Sequence, residues 1–489
     1  MRNLPLIVAA LALTGCVHFK PQPILPSETA AHLDARRLDD AGLKKFVEQH
    51  AASNVREWPP TEWDLNLLSL AAFYFHPGLE VARAQWRVSQ AGVKTAGARP
   101  NPTLGLTPGY NFSAPSGVNP WLPFFNLDVP LETAGKRGKR MSEAKHLGES
   151  ARWNIVTVAW QIRSAVRASL LEISVSDRRV SLLEAQVAAQ EQAMKLLRQR
   201  LAVGAIASAE LTPAQIFLSK AQLDLSDAQS QHATARSRLA ESLGVSVAAL
   251  DGVKLAFDFS HRAAAELTTT EARDVALRGR ADIRSALADY AAAEDELRLQ
   301  IAKQYPDVHV NPGYQFDQGE HKWTLGITFE LPVLNQNRGP IAEAEAKRAE
   351  RAARFTGLQA KVIGEIDRAV AVYGAGQKNL ATLGTLAKAQ QAQRESVEQQ
   401  FKAGAAEQLD LLAARIESGV AALAELDAQT KFQQALGALE DAVQRPLDVM
   451  NLVGDEVTSL HSTGVTNRPH TKLEPPHVGT YHTGKETSK

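Results

Sequence analysis

Cys16 is the only cysteine among the 489 residues, and its thiol is the single sulfur nucleophile of the chain. One cysteine excludes an intramolecular disulfide, a CxxC redox pair and a cysteine-based zinc site. The sequence also lacks HExxH, P-loop, GxSxG and GxGxxG motifs. These residue types and spacings predict no catalytic constellation, no metal site and no cofactor, so the protein is not expected to be an enzyme.

Leu13-Thr14-Gly15-Cys16 resembles the bacterial lipobox, in which the cysteine is lipidated and becomes the mature amino terminus. The apolar run 4–13 before it has the length of a signal-peptide core, because a membrane-spanning helix needs about 20 residues. We predict that residues 1–15 are a lipoprotein signal peptide and that Cys16 carries covalent lipid. The alternative is an ordinary secretory signal with an incidental cysteine. The residue after the cysteine is Val17 and not Asp, and this resembles the sorting rule that sends Gram-negative lipoproteins to the outer membrane.

The composition of the chain is that of a globular protein without a strong charge bias. Lys and Arg number 54, as do Asp and Glu, and this zero net charge argues against a nucleic-acid binder. Only 6% of the residues are aromatic, which argues against a large aromatic core. At about 100–200 residues per domain, the length alone predicts two to four domains.

An internal repeat changes that division. Pro108-Gly109-Tyr110 recurs as Pro312-Gly313-Tyr314, and Gly204-Ala205 recurs as Gly404-Ala405. Pro, Gly and Tyr in one order rarely match by chance, so two copies of a unit of about 200 residues are predicted. The predicted segments are an amino-terminal anchor and extended segment with a short helix near 38–50 (16–61), a first repeat (62–265), a second repeat (266–450) and a polar tail without fixed structure (451–489).

Each copy has the pattern of a helix, two strands, a long helix, a tight turn and a second long helix. In the first copy the first helix is predicted over 64–98, the strands near 103–113 and 122–131, and the long helix over 138–202. Apolar and polar residues alternate along the second strand, as in a strand with two unlike faces. The long helices predict an antiparallel coiled-coil hairpin, because Leu211, Leu218, Leu225, His232 and Leu239 recur every seventh residue opposite Val180, Leu183, Val187, Met194, Leu197 and Leu201.

The strands have the length of tilted transmembrane β-strands, about ten residues each. Aromatic residues that could form an interfacial girdle are Trp121, Phe124, Phe125 and Trp323, with Tyr110, Phe112, Tyr314 and Phe316. Four strands cannot close a barrel around a lumen, so either several chains share one barrel or the sheet is water-soluble. The signal peptide and the very long helices favour the shared barrel.

In this duplicated order, the motifs resemble the TolC-type outer-membrane efflux family over about residues 62–446. The motifs that carry the resemblance are Ala98-Arg99-Pro100-Asn101-Pro102, Val129-Pro130-Leu131, Leu201-Ala202-Val203-Gly204-Ala205 and Phe401-Lys402-Ala403-Gly404-Ala405. The resemblance implies a mainly α fold with a small β part. A homotrimer would complete it, with four transmembrane β-strands per protomer over a long coiled-coil α-helical barrel. It also implies a periplasmic adaptor protein and an inner-membrane transporter of the resistance–nodulation–division type as partners.

The resemblance also suggests site residues. Asp410 matches an acidic position of the family's periplasmic pore constriction, and Glu210 has the equivalent place in the first copy. Three copies around an axis would form a ring of negative charge; the alternative is an acidic residue favoured by the helix dipole near a helix amino terminus. Gly204, Ala205, Gly404 and Ala405 mark the tips that would dock the adaptor.

The histidines are interpreted as structural or solvated residues. His232 lies in a Leu seam and is predicted to be a packed or partly hydrated polar interruption rather than a metal ligand. His461, His470, His477 and His482 belong to the tail, which we interpret as solvated, although scattered histidines can bind metal ions weakly.

The sequence and the resemblance together predict a lipid-anchored Gram-negative outer-membrane channel that gives a pump a passive exit duct, with heavy-metal cations as one candidate cargo. A drug or solvent efflux duct, or the exit duct of a type I secretion system, is the nearest alternative. A periplasmic coiled-coil scaffold lipoprotein that conducts nothing is the alternative from another class.

Overall fold

A computed structural model describes residues 19–50, 57–259 and 268–447. Its helices are α1 (Pro26–Asp34), α2 (Ala41–His50), α3 (Leu65–Phe75), α4 (Pro77–Ala96), α5 (Lys136–Ala202), α6 (Leu211–Leu243), α7 (Thr269–Gly279), α8 (Ala281–Ala302), α9 (Arg338–Lys402) and α10 (Gln408–Val443). Its strands are β1 (Thr103–Tyr110), β2 (Trp121–Leu131), β3 (Val308–Asp317) and β4 (Glu320–Phe329). This mainly helical fold with one small sheet is the predicted fold class.

The element order of α3 to α6 recurs in α7 to α10, each series interrupted by two strands. Both series also have a similar core. Ile162 and Leu239 are buried with α2 and α3 in one apolar cluster, and Ile366 and Leu439 are buried with α7 in another. The two repeats therefore each bury their own helical layer.

The single helix expected over 64–98 is wrong, because it is two helices. His76 has an extended backbone (ψ 122°) between α3 and α4. Pro77 explains the break, since proline has no N–H to donate and restricts the residue before it. Asp64 begins α3 by accepting a 2.8 Å hydrogen bond from the backbone N–H of Leu67.

The amino-terminal segment is more helical than predicted, since α1 precedes the expected short helix α2. Arg36, between them, holds the segment in place. Its guanidinium donates 2.7 Å hydrogen bonds to the carbonyls of Phe75 and Gly244, at the carboxyl ends of α3 and α6. A cation satisfies free carbonyls there and complements the helix dipole. Arg280 contacts the Ala442 carbonyl in the second repeat in the same way, at 2.8 Å.

The first hairpin packs through the predicted Leu and Ala seam. Leu218, Ala221, Ala228, Ala235 and Leu239 of α6 are all buried, facing buried Leu183, Val187 and Met194 of α5. His232 is partly buried and its Nδ1 lies 3.1 Å from Ser176 Oγ. This is the packed polar interruption that the heptad pattern predicted. The small alanines let the helices approach closely.

Polar side chains join the two repeats where α5 crosses α10. Asp441 accepts hydrogen bonds from Trp160 Nε1 (2.9 Å) and Ser164 Oγ (2.5 Å). Glu440, only 3% exposed, lies 3.4 Å from an Arg163 nitrogen and 3.5 Å from Arg167 Nε. Removing Arg163 and Arg167 would leave Glu440 as an uncompensated buried charge.

Candidate functional site

The sheet has one apolar face. Its strand order is β1-β2-β3-β4, antiparallel throughout, with Val129 opposite Val310 and Val310 opposite Ile327. Directly opposed residues point to the same side, so apolar residues line that face on all four strands. Those on β4 are strongly exposed, as Trp323 (80%) and Ile327 (65%) illustrate, whereas Val129 and Val310 are half-buried. A contiguous apolar surface of this kind marks a membrane or protein contact.

The opposite face of the sheet is polar. His309 Nδ1 lies 2.9 Å from Asp128 Oδ1, and the amide of Asn311 donates a 2.9 Å hydrogen bond to Thr328 Oγ1. The sheet thus separates an apolar from a polar environment, which is what the wall of an aqueous pore must do.

Aromatic rings gather at the loop end of the apolar face. Tyr110 contacts Trp121 with ring centroids 5.2 Å apart, and Tyr314 contacts Trp323 at 4.9 Å. Phe124 does not join this girdle. It is opposite Thr107 and Gln315 on the polar face, because neighbouring residues of a strand point to opposite sides.

Thr133 and Lys136 connect the sheet to the helices through Asp307. The Asp307 carboxylate accepts a 2.9 Å hydrogen bond from the backbone N–H of Thr133 and a 2.8 Å bond from Lys136 Nζ. Burial alone would raise the pKa of Asp307, but these two donors outweigh it, and the pKa is lowered. The ion pair joins the first repeat to the second at the base of the strands.

Gly204 and Gly404 end the long helices α5 and α9 in the same way. Both have φ +74°, in the left-handed region that glycine tolerates. Ala205 N–H donates to Arg200 O and Ala405 N–H to Gln400 O, each at 2.8 Å, which completes a Schellman motif in both tips. Gly204, Ala205, Gly404 and Ala405 therefore lie in the two turns where the tips are predicted.

Asp410 and Glu210 both occupy the start of a returning helix, and both are exposed. Asp410 Oδ2 accepts a 2.9 Å hydrogen bond from the backbone N–H of Glu407, and Glu210 Oε1 accepts a 3.1 Å bond from that of Ala207. Each acid thus satisfies a backbone donor at a helix amino terminus, as the capping alternative requires. This contact uses one oxygen of each carboxylate.

An ion pair between the two tips was not predicted. Arg200, in the last turn of α5, contacts Glu407, just before α10. The two residues are 207 positions apart, so only the weak match of the repeats could have suggested their proximity. The pair connects the tip of the first repeat directly to that of the second.

No three His, Cys, Asp or Glu side chains are grouped to hold a metal ion within residues 19–50, 57–259 and 268–447. No helix in this described part of the chain combines the length and hydropathy needed to cross a membrane. Cys16, the domain boundaries near 265 and 450, and the four tail histidines lie outside the described residues and stay predictions.

The long hairpins below a two-faced sheet are the architecture of known outer-membrane channels. The outer membrane protein VceC of Vibrio cholerae superimposes with a TM-score of 0.63 at 20% identity, covering 78% of this chain and 96% of that one. The open-state MtrE channel of Neisseria gonorrhoeae gives 0.64 at 17% identity, covering 78% and 89%. These likenesses define the fold.

Sequence comparison defines the family. The family described as "Outer membrane efflux protein" matches the chain twice, over residues 74–245 and 272–443. The chain belongs to this family, which confirms the resemblance drawn from the motifs.

Two curated proteins are similar to the chain at 24% identity. The chain is 24% identical to the outer membrane protein OprJ of Pseudomonas aeruginosa over 434 residues, which are 84% of this chain and 83% of that protein. It is also 24% identical to the cobalt-zinc-cadmium resistance protein CzcC of Cupriavidus metallidurans, over 45% of this chain. That match spans about half, 52%, of the relative's length.

Proposed function

We propose that the protein is the outer-membrane duct of a tripartite efflux system, a passive exit path loaded by an inner-membrane pump through a periplasmic adaptor. The sheet with one apolar and one polar face carries the proposal. In a bilayer its apolar face would meet lipid, while Asp128, His309 and Asn311 would line water. A periplasmic scaffold has no need for an exposed apolar face that includes Trp323.

The duct is proposed to be a homotrimer. Strands β1 and β4 are the two edges of the sheet, and an open edge in hydrocarbon leaves backbone groups unsatisfied, at several kcal/mol each. Pairing β4 of one copy with β1 of the next removes both edges. Three copies then give a closed barrel of about twelve strands, wide enough for a lumen.

Conductance in planar bilayers tests the proposal. The purified protein should give uniform conductance steps from trimers. The matched variant Trp323→Asp, which places a charge on the apolar face, should insert far less readily. A silent bilayer, together with a delipidated protein that is water-soluble, would favour the scaffold alternative instead.

Asp410 is proposed to form the acidic constriction of the pore, with Glu210 as its counterpart in the first repeat. Asp410→Asn keeps the side-chain acceptor for Glu407 N–H but removes the charge, whereas Asp410→Ala removes both. A charge ring predicts that both variants raise conductance or abolish block by divalent cations. If only stability falls in Asp410→Ala, and conductance is unchanged in both variants, Asp410 is a helix cap alone.

We also propose how the protein is attached to the membrane and where it binds a partner protein. Cys16 would carry the lipid that anchors the chain in the outer membrane, and the Gly204-Ala205 and Gly404-Ala405 tips would dock the adaptor. Mass spectrometry of the mature amino terminus tests the first, since an unmodified Cys16 would contradict it. Crosslinking from the tips in cells that hold the neighbouring adaptor tests the second.

Heavy-metal cations are the proposed cargo, supported by the likeness to a cobalt-zinc-cadmium resistance protein. A deletion strain should become sensitive to zinc, cobalt, cadmium or copper. Sensitivity to detergents and drugs alone would assign the duct to drug or solvent efflux, and loss of a secreted protein would assign it to type I secretion.

A further inference from the structure

A buried carboxylate with one oxygen that lacks a hydrogen-bond partner lies on α8, against the amino-terminal part of α5. Asp295 is 4% exposed, and its Oδ1 accepts a 3.0 Å contact from Arg298 on the same helix. Its Oδ2 is buried and has no hydrogen-bond partner. A buried acceptor left unpaired costs about 1–3 kcal/mol, more when it is charged, so this oxygen calls for a donor.

His146 of α5 is the group that faces this oxygen. Its Nε2 lies 3.5 Å from Asp295 Oδ2, and its Nδ1 lies 3.8 Å from Glu149 Oε2. A neutral imidazole has one N–H for these two nitrogens, whereas an imidazolium has two. Only the protonated ring can therefore serve both carboxylates at once.

We propose that His146 and Asp295 form a proton-operated tie between α5 and α8. When His146 is protonated, its Nε2–H pairs with Asp295 Oδ2 and its charge offsets that of the buried carboxylate. When the ring is neutral, its one N–H can serve only one of the two carboxylates, and the positive charge that offsets Asp295 is lost, so the tie loosens. The tie would therefore strengthen on acidification.

The charges around the pair come from three helices. They are Glu143 and Glu149 of α5, Glu296, Arg298 and Lys303 of α8, and Glu343 and Lys347 of α9. Lys347 contacts both Glu343 and Glu296, at 2.9 and 3.1 Å.

Glu143 acts in the same direction as His146. Burial, followed by the charges of Glu296 and Asp295, raises the pKa of Glu143. A raised folded-state pKa contributes stability at low pH that is lost as pH rises through it. Acid therefore relieves repulsion in this cluster while it charges His146.

Hydrogen exchange measured by mass spectrometry on the full chain in detergent tests the tie. Exchange of peptides covering 141–150 and 290–300, corrected for the intrinsic pH effect, should be about tenfold slower at pH 5.5 than at pH 7.5, the scale of one charge-assisted hydrogen bond. His146→Gln should lose this pH response. His146→Lys, which stays charged, should give slow exchange at both pH values.

The matched control is His232→Gln, because His232 contacts the hydroxyl of Ser176 and no carboxylate. It should keep the full pH response around α5 and α8. An unchanged response in His146→Gln would overturn the proposal, and its loss in Glu143→Gln alone would assign the titration to Glu143. A wild-type protein without any pH response in these peptides would also overturn it.

Discussion

The tip of the first repeat and the tip of the second end their long helices with the same hydrogen bonds but present different side chains. Around the first tip, Val203, Ile216 and Phe217 are exposed apolar residues. The second tip presents exposed Glu407 where the first has Ala207, whereas the exposed acids Glu210 and Asp410 correspond to each other. The backbone geometry is common to both tips, and the surface chemistry is not.

The difference shows which features a duplicated fold must keep. A chain that turns between two antiparallel helices needs a left-handed residue at one position, so the glycine recurs. The outward side chains carry no such geometric demand and are free to specialise. The Arg200–Glu407 ion pair depends on this specialisation. The residue that corresponds to Arg200 in the second repeat is Gln400, and the residue that corresponds to Glu407 in the first repeat is Ala207.

The largest expected effect concerns the two apolar cores, one in each repeat. Leu239 is 0% and Leu439 is 3% exposed, so Leu239→Ala and Leu439→Ala should each lower the free energy of unfolding by roughly 2–5 kcal/mol. Denaturant unfolding of the detergent-solubilised protein measures both. A small loss in only one of them would show that the two repeats are not equally packed.

Leu223→Ala is the matched control, because Leu223 lies on the same helix as Leu239 but is 62% exposed. It should change the free energy of unfolding by less than about 0.5 kcal/mol. A larger loss would show that a neighbouring copy covers this face of α6 in the assembly.

The tip glycines should give the next largest effect, and an equal one. Gly204→Ala and Gly404→Ala force a side chain into φ +74° and should each destabilise by roughly 1–2 kcal/mol. Gly384→Ala, in the middle of α9 with open space at its Cβ, should instead stabilise by about 1 kcal/mol. Unequal losses at the two tips in thermal unfolding would contradict the shared geometry.

Periodicity predicted most of the fold. The Leu and Ala heptads of α5 and α6 indicated which residues are buried, and the alternation of β2 indicated its two faces, because both depend on near neighbours in sequence. The break at Pro77 was missed because the apolar pattern continues across it. Phe124 was placed on the wrong face because aromatic character was given more weight than strand alternation.

The site was less predictable than the fold. Gly204 and Gly404 could be assigned because glycine has a specific conformational role. The Arg200–Glu407, Lys136–Asp307 and His146–Asp295 contacts join residues 207, 171 and 149 positions apart, and charged residues are too common for composition to select such pairs. Those contacts depend on how the two repeats pack, which no local pattern contains.

Breaking the ion pair between the tips should affect stability little and function more. Both side chains are partly exposed, so Arg200→Gln should cost less than about 1 kcal/mol. If the pair restrains the tips of a duct, the variant should open more often in bilayers. Arg198→Gln, which loses only a 3.3 Å contact to Gln215 in the same hairpin, is the control and should conduct as wild type.

The smallest effect is a pH dependence found in one repeat only. Asp307 has a lowered folded-state pKa, so its contribution to stability is full above the ordinary carboxyl value of about 4 and is lost as pH falls through the lowered pKa. The first repeat has Thr103 at the equivalent position and therefore has no carboxylate there. Asp307→Asn should therefore flatten the stability curve below about pH 4, measured by denaturant midpoints. An equally steep curve in Asp307→Asn would place the acid sensitivity elsewhere. If the ion pair is the source, Lys136→Met, which removes the side-chain donor, should flatten the stability curve in the same pH range.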